Sequence, residues 1–197
     1  MTLAVSGTNL FAGTDDGVFL STNNGTSWTS ASTGLTNTEV RALAVSGTNL
    51  FAGTDDGVFL STNNGTSWSA VNTGLTNTRV MTLAVSGTNL FVGTYDDGVF
   101  LSTNNGTSWS AVNTGLTNTR VTTLAVSGTN LFVGTYDDGV FLSTNNGTSW
   151  AAASTGLPNN YVYALAVSGT NLFAGTEIGG VFLSTNNGTD WTAVNTG

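Results

Sequence analysis

One octapeptide governs what this chain can become. Ser-Thr-Asn-Asn-Gly-Thr-Ser-Trp stands at Ser21–Trp28, Ser61–Trp68, Ser102–Trp109 and Ser143–Trp150, and returns at Ser184–Trp191 with Asp190 in place of the last serine. Five copies spaced 40 or 41 residues apart mark a repeat architecture, in which one supersecondary unit stacks on its own image. The likeness is close: residues 3–28 recur letter for letter as residues 43–68.

Within each copy, Asn-Gly is the pair favoured by a tight turn with positive φ at both central residues. Ser21, Asn23 and Ser27 carry short polar side chains that can bond back onto nearby amides and hold that turn. Trp28 then opens the next strand with a large apolar surface that needs cover. Asn23, Gly25 and Trp28 are therefore read as structural, as are Asn63, Gly65, Trp68, Asn104, Gly106 and Trp109. The same holds for Asn145, Gly147, Trp150, Asn186, Gly188 and Trp191. One tryptophan per repeat, always beside a turn, suits packing between repeats better than stacking on sugars.

A full copy, taken from Val40 to Asn72, divides into four β segments. They are Val40–Val45, Leu50–Thr54, Val58–Ser61 and a last one beginning at Trp68, separated by Ser-Gly-Thr-Asn, Asp-Asp-Gly and Asn-Asn-Gly. With 26 glycines, one proline and no helical periodicity, the pattern predicts an all-β chain. Four antiparallel strands repeated five times predict a five-bladed β-propeller. It would form a single domain over residues 1–197, with blades at about 1–39, 40–79, 80–120, 121–161 and 162–197. The first two strands of each copy are apolar on both faces, as a sheet held between two neighbours requires. Small residues (Ala44, Gly53) fall on inner strands and large ones (Phe59, Trp68) on outer strands, the gradient that close packing of blades demands.

The run Ser-x-Asn-x-Gly-x-Ser-Trp resembles the Asp-box, or BNR, repeat of sialidases, sortilin-type receptors and photosystem assembly-factor propellers. The resemblance covers all five copies, and it implies that the box joins the third and fourth strands of a blade. The family's aspartate is replaced here by Asn23, Asn63, Asn104, Asn145 and Asn186. Asparagine keeps an acceptor for the turn and drops the charge. That preserves a scaffold and argues against a charge-dependent role for the box.

Composition removes several function classes. Lysine, histidine and cysteine are absent, arginine occurs only at 41, 79 and 120, and the formal net charge is −8. A nucleic-acid partner would need a basic footprint that this chain lacks. No cysteine means no disulfide framework and no thiolate metal site. No cofactor is expected, and no metal site is assigned. No apolar run approaches the ~18 residues of a membrane span. The first residues lack the basic and apolar regions of a signal peptide, so the chain is cytosolic as written or has a leader outside it. Localisation is left open.

The copies differ mainly where the second and third strands join and where one copy leads to the next. At the first place they read Asp15-Asp16-Gly17, Asp55-Asp56-Gly57, Tyr95-Asp96-Asp97-Gly98, Tyr136-Asp137-Asp138-Gly139 and Glu177-Ile178-Gly179-Gly180. At the second, the matching position is Glu39, Arg79, Arg120 or Tyr161. Propeller topology puts these segments on one face. Asp-Gly is a preferred hairpin pair in its own right. The sharper reading is a binding surface made by Tyr95, Asp96, Asp97, Tyr136, Asp137, Asp138, Arg79, Arg120 and Tyr161, with Tyr95 and Tyr136 as stacking platforms for a polyol or with the carboxylates around a cation.

Catalysis is not expected. Arg79 and Arg120 are equivalent positions in neighbouring copies, and no pair of carboxylates in unlike environments is evident. The expectation is thus a non-enzymatic scaffold or binding module, which near-identical copies would also fit if the repeat were recently amplified or designed. A glycan or protein ligand on the acidic, tyrosine-bearing face is the alternative, and a glycosidase the remote one. A monomer is the expected state, with an oligomer the alternative that identical sheet edges invite.

Overall fold

The computed structural model of the protein describes residues 1–158 and 161–195. The last two positions of the expected fifth blade, 196 and 197, lie outside the described residues. Among the described residues twenty strands form five antiparallel sheets of four, each built from consecutive strands. Among the described residues no helix is assigned. Sheet one, among the described residues, spans residues 2–30 and sheet five residues 162–193, each built from four consecutive strands. This is the all-β propeller fold. The chain divides into an N-terminal unit, Met1–Val92 with Leu101–Ser110, and a C-terminal unit, Gly93–Phe100 with Ala111–Gly197.

The first strands of sheets three to five begin at Val80, Val121 and Val162, the equivalents of Val40, as expected, whereas in sheet two the limits differ at both ends. In sheet two the first strand is Ala42–Ser46, later than Val40, because the Val40 amide donates to Thr14 O of the preceding repeat at 2.9 Å. The fourth strand shrinks to Ser69–Ala70 because the Trp68 amide donates to Thr33 O, also at 2.9 Å. Beyond Ala70, Asn72 continues the ladder with its side chain, Oδ1 accepting from the Val58 amide at 2.7 Å. The backbone groups that leave the sheet are the ones that tie a repeat to its predecessor.

The turn that precedes each tryptophan runs longer than a two-residue hairpin, occupying residues 22–28 between the third and fourth strands of sheet one. Asn24 and Gly25 hold positive φ, 56° and 83°. Asn23 organises the turn. Its Oδ1 accepts from the Ser27 amide at 2.9 Å and from the Ser21 hydroxyl at 3.0 Å, while its Nδ2 donates to Ser27 Oγ at 2.8 Å. The Gly25 amide donates to Ser21 Oγ at 2.9 Å. The fifth copy replaces the last serine with Asp190, and Asn186 Nδ2 donates to its carboxylate at 3.1 Å. A carboxylate at the asparagine position could not supply that donor.

Packing between sheets repeats just as closely. Trp68 Nε1 donates to Ala31 O and Trp109 Nε1 to Val71 O, both at 2.7 Å, in the N-terminal unit. In the C-terminal unit Trp150 Nε1 reaches Val112 O at 2.7 Å and Trp191 Nε1 reaches Ala153 O at 2.8 Å. All four rings are buried. Around Trp68, Phe11, Val18 and Ala31 of sheet one close on Leu43, Ala52 and Phe59 of sheet two in one apolar cluster. A buried phenylalanine contributes about 1.5–3 kcal/mol and a net hydrogen bond about 1 kcal/mol. Burial therefore supplies most of the stability, and the indole bond fixes the register in which it is obtained.

Close approach at the tryptophans leaves no room for side chains opposite. Gly74 has φ +93°, and a Cβ there would strike the Trp109 carbonyl, whereas Gly87 at φ +60° faces open space. Gly87→Ala is expected to cost only the left-handed backbone penalty, ~1–2 kcal/mol. Gly74→Ala should add an overpacking term and cost about 3 kcal/mol or more. Urea unfolding of the two variants checks this; equal losses would show that the tryptophan contact does not constrain the backbone.

Candidate functional site

The turns between second and third strands meet the connections between repeats in both units. A threonine at the end of each second strand builds the turn: Thr54 Oγ1 donates to Gly57 O at 3.2 Å and accepts from the Asp56 amide at 3.1 Å. In the longer turn of sheet four, Thr135 does the same with Gly139 O and the Asp138 amide, both at 3.1 Å. The added residue in the turns of sheets three and four is a tyrosine, Tyr95 or Tyr136.

In the N-terminal unit this region is ionic. Arg41 grips Asp55 with two hydrogen bonds, Nε to Oδ1 at 2.8 Å and Nη2 to Oδ2 at 3.2 Å. Arg41 Nη2 also lies 2.6 Å from Glu39 Oε1, and Arg79 Nε lies 3.5 Å from Asp55 Oδ1. The hydrogen bond from Arg41 is the main cause that holds the Asp55 carboxyl below the ordinary aspartate range, and the same bond raises Arg41. Asp56 accepts from the Thr36 hydroxyl at 3.2 Å. Arg79 and Arg120 are equivalent positions in the repeat, and Arg79 joins this ionic group.

The C-terminal unit gathers Tyr95, Asp96, Asp97, Arg120, Tyr136, Asp137, Asp138 and Tyr161. Here the arrangement is aromatic. The Arg120 guanidinium lies 4.0 Å from the Tyr136 ring centroid and 4.6 Å from that of Tyr95, and its Nη2 donates to the Tyr95 hydroxyl. Tyr136 meets Tyr161, and Tyr161 meets Tyr163, each pair with centroids 4.2 Å apart and tilted planes. Backbone bonds pin the row: the Tyr136 amide donates to Arg120 O at 3.0 Å and the Glu177 amide to Tyr161 O at 3.1 Å. Burial raises the Tyr161 phenol above its ordinary range, with the charges of Tyr163, Tyr136 and Glu177 adding to it.

Arg120 takes up one ring face of Tyr95 and one of Tyr136, the rings expected to serve as stacking platforms. The exposed ring is Tyr163, at 53%. Its position aligns with Arg41, Met81 and Thr122 in other copies, and that variability was the one available signal. Asp96 and Asp137 stand exposed on the turns, while Asp138 accepts from the Thr117 hydroxyl at 2.5 Å. Among the described residues no three carboxylates gather into a cluster able to hold a metal ion.

The model of the DUF6242 beta propeller domain matches this chain twice, over residues 2–114 and over residues 75–197. No curated protein matches it. Among solved structures, an ancestral GH74 enzyme is similar with a TM-score of 0.79 and 24% identity, over 98% of this chain and 30% of that one. The computationally designed Ika8 protein is similar with a TM-score of 0.70 and 16% identity, over 96% of this chain and 59% of that one. YCF48 bound to D1 peptide gives 0.69 and 12%, over 93% and 64%. The chain thus spans less than a third of the GH74 enzyme's length. At these identities the likeness is one of fold.

The ionic group makes a pH-dependent contribution with a definite sign. Because the folded Asp55 value is depressed, its contribution is complete above the unfolded value near 3.9 and disappears as pH falls through the folded value. Asp55→Asn should cost ~0.5–1 kcal/mol at neutral pH, the scale of a half-exposed ion pair. Denaturant unfolding over a pH series should show the difference fading as acidification passes below the ordinary aspartate range; a difference constant with pH would contradict the pairing.

Proposed function

We propose that this chain, which belongs to the DUF6242 beta propeller family, serves as a non-enzymatic binding module for a carbohydrate. The observation that carries the reading is the ring row of the C-terminal unit, which ends in the exposed Tyr163. An open aromatic face suits the apolar face of a sugar ring, and exposed carboxylates beside it suit sugar hydroxyls. Asp96, Asp137 and Glu177 are exposed acceptors on the adjoining turns. The Arg120 guanidinium is engaged by two tyrosine rings and a phenol oxygen, so it stiffens the row and offers less to a free carboxylate. Rigid support of this kind lowers the cost of ordering a binding surface.

A catalytic reading draws little support. Histidine and cysteine are absent, and Asp55, Asp56 and Asp138 are tied to arginine or threonine. The GH74 likeness concerns an enzyme whose chain is more than three times as long as the matched part.

A glycan array probed with the intact chain should return neutral polyhydroxylated ligands. Tyr163→Ala should weaken the best of them by about tenfold, the worth of one stacking contact near 1.4 kcal/mol. A blank array, or binding indifferent to Tyr163→Ala, would count against the proposal.

A further inference from the structure

The Asn-Gly turn places a chemical hazard inside every repeat. The side-chain carbonyl carbon of an asparagine can be attacked by the backbone nitrogen of the next residue. Glycine, with no Cβ, leaves that nitrogen least hindered. The chain has five Asn-Gly pairs, at Asn24, Asn64, Asn105, Asn146 and Asn187, and all of them stand in the octapeptide. The turn needs the pair, since asparagine and glycine hold positive φ at least cost, and in sheet two they do so at 54° and 78°. The letters that make the turn therefore also invite ring closure within it.

In sheet two the electrophile is open to water and the nucleophile is shut away. Asn64 is exposed, whereas Asn63 beside it is held by its bonds to Ser61 and Ser67. The Gly65 amide donates to Ser61 Oγ at 2.9 Å, and both residues are buried. Ser61 spends its own hydroxyl proton on Asn63 Oδ1, also at 2.9 Å. Its oxygen thus faces the amide as a neutral acceptor, which neither removes the proton nor admits water to it. On the other side of the pair, the Thr66 hydroxyl and amide both donate to Asn63 O, at 2.8 and 3.3 Å. The glycine-to-serine bond recurs at 2.8 Å from Gly106 to Ser102, 2.9 Å from Gly147 to Ser143 and 2.8 Å from Gly188 to Ser184.

We propose that the Asn-Gly pairs are deamidation sites which the folded turn holds closed, and that the serine ending each third strand is the residue that closes them. In the reaction the Gly65 nitrogen bonds to Asn64 Cγ and gives up its proton. The Cγ–Nδ2 bond breaks, and Nδ2 leaves with that proton as ammonia. Water then opens the cyclic imide, and no atom is oxidised or reduced. Opening at Cγ gives aspartate; opening at the backbone carbonyl gives isoaspartate, with an extra carbon in the main chain. Before any of this, the amide proton must reach solvent and the nitrogen must swing from Ser61 to Cγ. Both steps require the turn to open, so the modification records local opening. The isoaspartyl product lengthens the main chain inside the turn, and the turn that delivers Trp68 then loses its former geometry.

The test holds the whole chain at mildly alkaline pH, folded in one arm and in urea in the other, and then cuts it after Arg41, Arg79 and Arg120. Those cuts put Asn64 and Asn105 on separate peptides, and mass spectrometry reads the exchange of ammonia for water on each. In urea every pair should convert, while the folded chain lags. Folded Ser61→Ala should convert Asn64 about tenfold faster than the wild type, the scale of a buried donor left unpaired, with Asn105 unchanged. Ser67→Ala removes a bond to Asn63 but spares the Gly65 amide, and should leave Asn64 at the wild-type rate. If Ser61→Ala fails to fold, the wild type decides: conversion of Asn64 and deuterium exchange at the Gly65 amide should rise together with urea below the unfolding transition. A folded chain converting as fast as the unfolded one would overturn the inference. So would a folded Ser61→Ala no faster than the wild type, a Ser67→Ala as fast as Ser61→Ala, or conversion indifferent to urea.

Discussion

The bond that Trp68, Trp109, Trp150 and Trp191 each make to the preceding repeat is the contact on which the rest of the structure depends. In each of them the amide and the indole both leave their own sheet and donate to carbonyls of the preceding repeat, as Trp68 does to Thr33 and Ala31. Two donors on one residue define both position and angle. The apolar surface that comes together around them supplies the larger energy, but burial alone is non-directional and tolerates sliding. The hydrogen bonds remove that freedom. They also explain why the fourth strand is so short, because its first amide is spent outside the sheet.

The polar turn before the tryptophan makes that contact reproducible. Asn23 acts as donor and acceptor at once, and Ser21, buried at the end of its strand, closes the loop from within. Such local networks satisfy groups that would otherwise compete for strand pairing. The tryptophan is delivered at the same point in every repeat because the turn before it has few alternatives. A chain with so few charges has little long-range electrostatics to guide its folding. Its specificity rests on short polar side chains bonded to neighbouring backbone.

Much of the fold could be read from the letters, and the reasons are local. Period, strand alternation and the Asn-Gly turn are set by residues near one another in sequence, so four strands per repeat and positive φ at Asn24 and Gly25 were both legible. Strand ends were not, because Val40 and Trp68 give their amides to another repeat, and only tertiary structure shows where those bonds go. The candidate site was half legible. Variation among copies pointed to Tyr95, Arg120, Tyr136 and Tyr161, but it could not show that Arg120 would lie against two of the rings and leave Tyr163 as the exposed one. Arg79 and Arg120 look equivalent in the repeat. They diverge because one faces Asp55 and the other faces tyrosine, a difference carried by the turn opposite.

The same four-strand scaffold therefore carries an ionic group in one unit and an aromatic row in the other. Both sit on turns and connections, where substitutions do not disturb the buried contacts around the tryptophans. Hydrogen exchange at the indole nitrogens of Trp68, Trp109, Trp150 and Trp191, followed by nuclear magnetic resonance, tests the central claim most directly. If these bonds organise the fold, all four protons exchange only on global opening, with the same dependence on denaturant as the slowest strand amides. Exchange at the rate of free indole, while the strand amides stay protected, would mean that the sheets are held together by something else.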